Sequence, residues 1–163
     1  MPMELTPGGT HGATVPRRFL KILNRPMMAL VRLLRGRGVR IQGQPVLLLT
    51  TVGAKSGRLH TVPLLWLPDG ENRWLVAASF GGNASHPAWY VNLVRHPESV
   101  WVEVNGRKRA VLVDSLTGPE RETAWAYITF KAPIYAKYQM QTDREIPVIR
   151  LTAAPSNEVS TRR

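Results

Sequence analysis

The 163-residue sequence contains no cysteine. Disulfides, thiolate metal sites and cysteine nucleophiles are therefore excluded, and a reducing compartment fits. Histidine is scarce as well. His11, His60, His86 and His96 fall at no metal-ligand spacing, no HExxH pair occurs, and no metal site is expected. A GxSxG nucleophile elbow is missing, and no close carboxylate pair stands out for hydrolysis. No apolar run approaches the roughly 20 residues of a membrane span; the best near the start, Met27 to Leu34, is interrupted by Arg32. Residues 1–16 lack the apolar stretch of a secretory signal. Internal repeats and low-complexity tracts are also absent. With so few candidate acids, bases and nucleophiles, any reaction has to be carried by a cofactor.

What the sequence has in excess is positive charge. Lys and Arg number 22 against 11 acids, for a formal +11. The excess is uneven. Residues 1–44 hold eight basic residues (Arg17, Arg18, Lys21, Arg25, Arg32, Arg35, Arg37 and Arg40) and one acid, Glu4, for a net +7, whereas the remainder carries only +4. Such a balance favours anionic partners: a phosphate-bearing cofactor, anionic lipid or nucleic acid. No nucleic-acid recognition motif accompanies it, so nucleic acid is not expected.

Residues 1–16, rich in Gly, Pro and Thr, read as a disordered lead. From Arg17 the spacing of Phe19, Leu23, Met27, Leu30 and Leu34 predicts an amphipathic basic helical segment over 17–44. Pro26 is expected to kink or divide it. This segment has two equal readings: a helix packed on the domain with a solvated basic face, or an arm over 17–40 lying on the anionic inner face of a membrane. The first predicts a cytoplasmic protein, the second a peripherally associated one.

Val46–Val52, Arg58–Leu67 and Arg73–Ser79 read as strands, the first pair joined by the turn Gly53–Gly57 and the second by Asp69-Gly70. A short helix opens at His86-Pro87. Ser99–Val104 and Lys108–Ser115 flank Asn105-Gly106, the strongest hairpin signal in the chain. Thr117–Phe130 is a helix with Thr117 and Glu120 spaced as a capping box. Ile134–Gln141 is a further helical turn and Pro147–Leu151 a last strand. About six strands in consecutive hairpins argue for a mainly β, α+β architecture: an antiparallel barrel or closed sheet over 45–154 with peripheral helices, then a flexible tail at 155–163.

Three groups of residues suit a ligand. Gly53-Ala54-Lys55-Ser56-Gly57 exposes backbone N–H groups beside a cation, which suits a phosphate; on local grounds an ordinary basic turn is the stronger reading. Ser79 to Leu93 runs a Gly-rich loop into a helix N-terminus that carries Trp89, Tyr90 and Asn92. Its alternative is a helix packing its aromatics inward, with His86 and Asn83 as caps. Tyr135, Tyr138 and Gln139, with Trp125 and Tyr127 upstream, offer flat faces to a planar ligand, or pack in a core.

Together these blocks resemble the deazaflavin-dependent nitroreductase family. The resemblance rests on Leu49 to Arg58 with Thr61-Val62-Pro63-Leu64; on Ala77 to Gly82, His86 to Tyr90 and Asn92-Leu93; and on Tyr135, Tyr138-Gln139, Thr142 and Ile146-Pro147. It covers roughly residues 30–152. The resemblance implies a split β-barrel and coenzyme F-420, an 8-hydroxy-5-deazaflavin with a phosphodiester and an oligoglutamate tail; FMN is the nearest alternative. It implies a phosphate cradle of Lys55, Ser56, Gly57 and Arg58, and a ring lined by Thr61, Val62, Pro63 and Leu64. Ala78, Ser79, Gly81, Gly82, Asn83 and Ala84 would cover the ring, with Trp89, Tyr90 and Asn92 behind. Ser79, Tyr135 and Tyr138 would be the catalytic candidates. The implied reaction passes hydride from reduced coenzyme F-420 to a quinone, nitroaromatic or activated alkene, in a monomer or homodimer. A non-catalytic deazaflavin carrier and an FMN-dependent reductase are the alternatives. Ala54, His60 and Phe80 stand where many members of the family carry cations, and Ala132 where some carry a tyrosine.

Overall fold

The computed structural model describes residues 3–14 and 16–155; the expected tail beyond Pro155 lies outside them. Helix α1 (Arg17–Leu33) precedes β1 (Arg40–Ile41), β2 (Gln44–Val52), β3 (Leu59–Leu65), β4 (Leu67–Pro68) and β5 (Arg73–Ala77). A single 3-10 turn, Phe80–Gly82, leads to α2 (Ala88–Arg95), β6 (Val100–Val104) and β7 (Arg107–Ser115). Helices α3 (Gly118–Lys131) and α4 (Ile134–Gln141) precede the last strand, β8 (Val148–Ala153).

All pairings are antiparallel, in the order β3-β2-β6-β7-β8-β5-β4, with β1 on the start of β2. Because β3 runs through Trp66 straight into β4, the two ends of that order are joined covalently and the sheet curls into a barrel. β3 pairs only with β2, so the barrel stays split along its other edge. Pro63, which has no N–H to give a second neighbour, is tolerated there.

Strand alternation places Leu47 and Leu49 of β2, Val100 and Val102 of β6, Val111 of β7, and Ile149 and Leu151 of β8 inside the barrel with Trp74, Val76 and Tyr90. The outer face of β2 is covered too. Val46 and Leu48 pack with Val31, Val39, Met27 and Met28 under α1. Burial on both faces is why β2 reads as a continuous apolar run rather than an alternation. Helices α3 and α4 close the outside of β5 and β8 through Leu75, Ala124, Ile128, Tyr135 and Val148.

The antiparallel barrel expected from the sequence is present, with eight strands instead of six. The additional two, β1 and β4, have two residues each, too short to show a period. Pro26 does not divide α1, which is one helix. Pro26 lies on an exposed face, where water can meet the carbonyl that its missing N–H leaves free. Leu23, Leu30 and Leu34 of the expected packing stripe remain exposed; only the part of α1 near Val31 seats on the sheet. The capping box is not formed. Thr117 makes no side-chain cap, and the Glu120 carboxylate pairs with Arg150 instead.

The lead departs most from expectation. Residues 3–14 lie along the loop that follows β5. Gly9 N–H donates to Ala84 O (2.9 Å) and Ala13 N–H to Gly82 O (2.9 Å). Asp143 accepts from the Thr10 N–H (2.8 Å), the Thr10 hydroxyl (2.5 Å) and the His11 N–H (3.2 Å). Pairing of this kind satisfies backbone groups that composition alone leaves to water.

Candidate functional site

β2 delivers the first element of the site. Its last residue, Val52, is followed by a tight turn in which Gly53 N–H donates to Arg58 O (2.7 Å) and Gly57 N–H to Gly53 O (2.9 Å). A Cβ on Gly53 would lie 2.4 Å from Ser56 Oγ and 2.9 Å from His60 Nε2, so any larger residue there displaces both side chains. Gly57 takes φ +68°, a value that glycine adopts without steric cost. The Ser56 hydroxyl accepts from Arg58 N–H (3.2 Å) and meets His60 Nε2 at 3.3 Å. Ala54 N–H is held by Asn92 Oδ1 (2.9 Å), while the Asn92 amide donates to Thr51 Oγ1 (3.2 Å). Asn92 therefore ties α2 to the turn, and both ends of its side chain are occupied. The N–H groups of Lys55 and Ser56 have no acceptor among the described residues, and the exposed side chains of Lys55 and Arg58 meet no carboxylate there. Free amides beside unpaired cations make an anion cradle.

The loop from Ala78 to His86 supplies the second element. Arg144, 2% exposed, lies beneath it. Its guanidinium donates to Ala78 O (3.0 Å), Ser79 O (2.7 Å) and Asn83 O (2.8 Å), and its Nη1 meets His86 Nδ1 at 3.3 Å. Buried charge is costly unless its hydrogen bonds are met, and here they are. The consequence is directional. Three loop carbonyls are drawn to one cation, while the N–H groups of Ser79, Phe80 and Gly81 have no acceptor among the described residues. The peptides whose oxygens face Arg144 carry the N–H groups of Ser79, Phe80 and Ala84, and polarisation makes those better donors. Phe80, Gly81 and Gly82 all take positive φ. A Cβ on Gly82 would approach Tyr138 O at 2.8 Å, so glycine permits the loop to touch α4.

His86 completes this support. Its Nε2 lies 2.8 Å from Thr6 O and its Nδ1 faces Arg144, so the neutral ring with its proton on Nε2 satisfies both neighbours. Burial first, then the Arg144 charge, lower its pKa against the raising effect of its bond to Thr6. Of the two readings of this block, the one with His86 as a cap of α2 does not hold in that respect: the cap position is Pro87 and carries no side-chain bond.

The remaining candidates divide. Thr61 meets Thr50 across the β2–β3 pair at 2.8 Å, and Val62 and Leu64 line the barrel interior with Pro63 between them. Trp89 and Tyr90 are buried among barrel side chains and support the site from behind. Tyr138 is half-buried, next to the loop through its backbone, and its ring meets Tyr135 edge-on at 5.9 Å. Tyr135 is buried in the cluster under α3 and α4, and burial with its Tyr138 neighbour pushes its hydroxyl far above the usual phenol range. It stays protonated at any working pH. The structure thus brings together the turn, Ser79 to Ala84 and Tyr138; it holds Tyr135, Trp89, Tyr90 and Asn92 in supporting positions. Ala132 is buried in the helix cluster. Above Phe80 sits Arg17, its guanidinium 5.9 Å from the ring centre.

The sequence reading does not single out Asp143 or Arg144, and it takes the lead as disordered. Asp143-Arg144-Glu145 looks like a solvated charged turn, and no local pattern tells a buried arginine from an exposed one. Gln139 was noted only as part of a block. Its amide donates to Arg144 O (2.7 Å) and accepts from Ile146 N–H (3.0 Å), which fixes the segment bearing Arg144.

The sequence model of the F-420H(2)-dependent quinone reductases matches residues 23–153. The chain belongs to this family. It is 36% identical over 119 residues to an F-420H(2)-dependent quinone reductase of Mycobacterium tuberculosis, covering 71% of this chain and 78% of that one. Among solved structures, an F-420H(2)-dependent reductase, FDR-A, superposes with a TM-score of 0.59 at 37% identity, over 70% of this chain and 99% of the other. A structure described as a domain-swapped dimer gives a TM-score of 0.61 at 32% identity, over 84% and 99%. Family membership fits the site as built: cations and free amides gathered at one end of a split barrel.

Proposed function

We propose that this protein is an oxidoreductase that uses coenzyme F-420 to reduce a quinone-type acceptor. The observation that carries the reading is the donor set at the turn end of the barrel. Two unpartnered N–H groups lie beside Lys55 and Arg58, and three more lie on a loop whose carbonyls Arg144 withdraws. Such a set suits a molecule with a phosphate and a ring edge of carbonyls, and the residues present fit the cofactor named by the relatives. When bound, a reduced deazaflavin supplies hydride, since carbon stands where a flavin has its central nitrogen.

The chain's own residues hold and shield. Lys55, Ser56, Gly57 and Arg58 bind the phosphate. Thr61 to Leu64 line the ring and the loop from Ala78 to Ala84 covers it, with Trp89, Tyr90 and Asn92 fixing both segments from behind. Ser79 and Tyr138 orient the acceptor or pass it a proton through water, and protonated Tyr135 supports Tyr138. Replacing Lys55 with Ala weakens F-420 binding by about tenfold or more, the scale of one charge-assisted contact. Tyr138→Phe lowers turnover while leaving F-420 binding within about twofold. Equal loss of binding and turnover in both variants would contradict these assignments.

A partner for α1 belongs to the same reading. At 100° per residue, Ile22, Leu33, Leu30 and Leu23 form one exposed apolar stripe, and Arg18, Lys21, Arg25 and Arg32 a separate basic one. No helix among the described residues is long and apolar enough to cross a membrane. The two stripes suit a helix lying on anionic lipid, where apolar acceptors gather. Sedimentation with phosphatidylglycerol vesicles, weakened by salt and abolished by Ile22→Asp with Leu33→Asp, is the expected result; no sedimentation of the wild type would contradict it.

A further inference from the structure

The strands place a second polar cavity at the other end of the barrel. β2 begins there, β3 ends there at Trp66, and the β6–β7 hairpin turns there at Asn105-Gly106. On β7, Val113 and Val111 face the barrel interior. Two-residue alternation puts Arg109 and Arg107 on that same inward face, opposite Val102 and Val104 of β6. The apolar pattern of the lining thus gives way to arginine where the barrel opens. A third arginine comes from outside the sheet. The loop after α1 docks on the hairpin, with the Gly36 Cβ position 3.3 Å from Asn105 N and the Gly106 Cβ position 2.9 Å from Arg35 Cβ. This docking brings Arg37 to the same cavity, which measures about 410 Å³.

Partner accounting separates this cluster from an ordinary solvated surface. Among the described residues, Arg37, Arg107 and Arg109 have no carboxylate within salt-bridge distance; the nearby Glu103 pairs with Arg32. Arg109 is half-buried and donates only to Asn72 Oδ1, at 2.8 Å. Trp66 lines the same cavity, and its Nε1 is a buried donor with no acceptor among the described residues. Trp66 and Trp74 provide flat apolar wall beside these donors. Like charges crowd one another unless something anionic lies between them, and a buried N–H without an acceptor is rare in folded proteins. Barrel mouths are common small-molecule sites, and this volume falls within their usual range.

We infer that the mouth of the barrel remote from the Gly53–Gly57 turn is a separate binding site for an organic anion, a carboxylate or phosphate on a flat apolar body, held by Arg37, Arg107, Arg109 and the Trp66 indole N–H. This site does not depend on the proposed cofactor chemistry, since it shares no residue with the turn end. The guanidinium groups take the anion bidentately, the indole N–H takes a further oxygen, and the two tryptophan rings take the body.

The test is calorimetric titration of the full chain with 2-naphthoate, with inorganic phosphate and with neutral 2-naphthalenemethanol. Saturable one-to-one binding of naphthoate, at least about tenfold tighter than either other probe, is expected. Arg109→Gln should weaken it about tenfold, and Lys55→Ala should leave it unchanged. Trp66→Phe removes the donor with part of the flat wall and should weaken binding several-fold, while Arg107→Gln, at an exposed side chain, should weaken it with the unfolding midpoint level or raised, a combination that misfolding cannot produce. No saturable binding up to about 1 mM, binding indifferent to Arg109→Gln, or naphthoate displaced by coenzyme F-420 would overturn the inference. Phosphate binding as tightly as naphthoate would overturn the assignment of an organic ligand.

Discussion

At the turn end, Arg144 is as buried as the leucines of the core, and its guanidinium meets three carbonyls and one imidazole nitrogen. At the far end, three arginines share one cavity and meet a single side-chain amide. The first arrangement is closed: every contact holds the loop in a shape that leaves its N–H groups to a ligand. The second is open, with cations and a buried indole N–H still lacking acceptors. Residue type and charge are the same in both places. What separates a structural cation from a binding one is whether the protein itself supplies the acceptors.

The largest expected effect tests the closed end. Arg144→Met strands the acceptors of the loop and should cost about 3–5 kcal/mol, read as a lower urea midpoint. A loss under about 1 kcal/mol would mean that the loop holds its shape without the guanidinium. The next effect comes from acid. His86 is held neutral in the folded state, with its pKa below the usual 6.5. Once the pH falls below that value, the unfolded chain binds the proton more readily than the folded one, and stability declines until the folded pKa is also passed. The groups that face the ring are Arg144, Tyr90 and Thr6. His86→Gln should flatten the decline that sets in below pH 6.5; an unchanged slope would assign it to other groups.

A smaller and more local effect concerns the lead. Asp143→Asn removes the charge that holds Thr10 and His11, and amide exchange at Gly9 and Ala13 should quicken while the barrel stays protected. The Thr10 hydroxyl, then the His11 N–H, hold the Asp143 carboxyl well below the usual carboxylate range. A group depressed in this way stabilises above its unfolded pKa and loses its effect only as pH falls through the folded one. The latch should therefore survive mild acid that already weakens His86. Release of both in one step near pH 6 would contradict that separation. The smallest effect belongs to the open end. Arg107→Gln should leave stability level or slightly raised, because it removes one of three like charges that share a cavity with no carboxylate partner among the described residues; a clear loss would show that the guanidinium has a structural partner.

The sequence reading followed the same division. The positions of the strands, the glycine-bounded turn and the Asn105-Gly106 hairpin were legible because they rest on short-range rules: alternation, positive-φ glycine and two-residue turns. The order of the sheet was not: consecutive hairpins were expected, but β2 pairs with β6 and β5 with β8, across long stretches of chain, and β3 does not pair with β5. Lys55, Ser79 and Tyr138 entered as candidates through the three ordered blocks of the resemblance. Arg144 was not, because Asp143 and Glu145 on either side make it look solvated, and its partners are more than 50 residues away. The lead was not legible because its contacts are backbone bonds to a loop about 70 residues on, which composition does not encode. Arg107 and Arg109 were visible only as charge. Their inward direction required the register of β7 against β6.

On this reading the turn end takes coenzyme F-420 for hydride chemistry. The direct measurement is anaerobic titration with F-420 and with FMN, followed by addition of menadione to the complex with reduced F-420 while its absorbance is tracked. Tight F-420 binding that Lys55→Ala weakens, with oxidation dependent on menadione, is the predicted result. Binding without oxidation would make the protein a carrier, and tight binding of FMN alone, or of neither, would contradict the account.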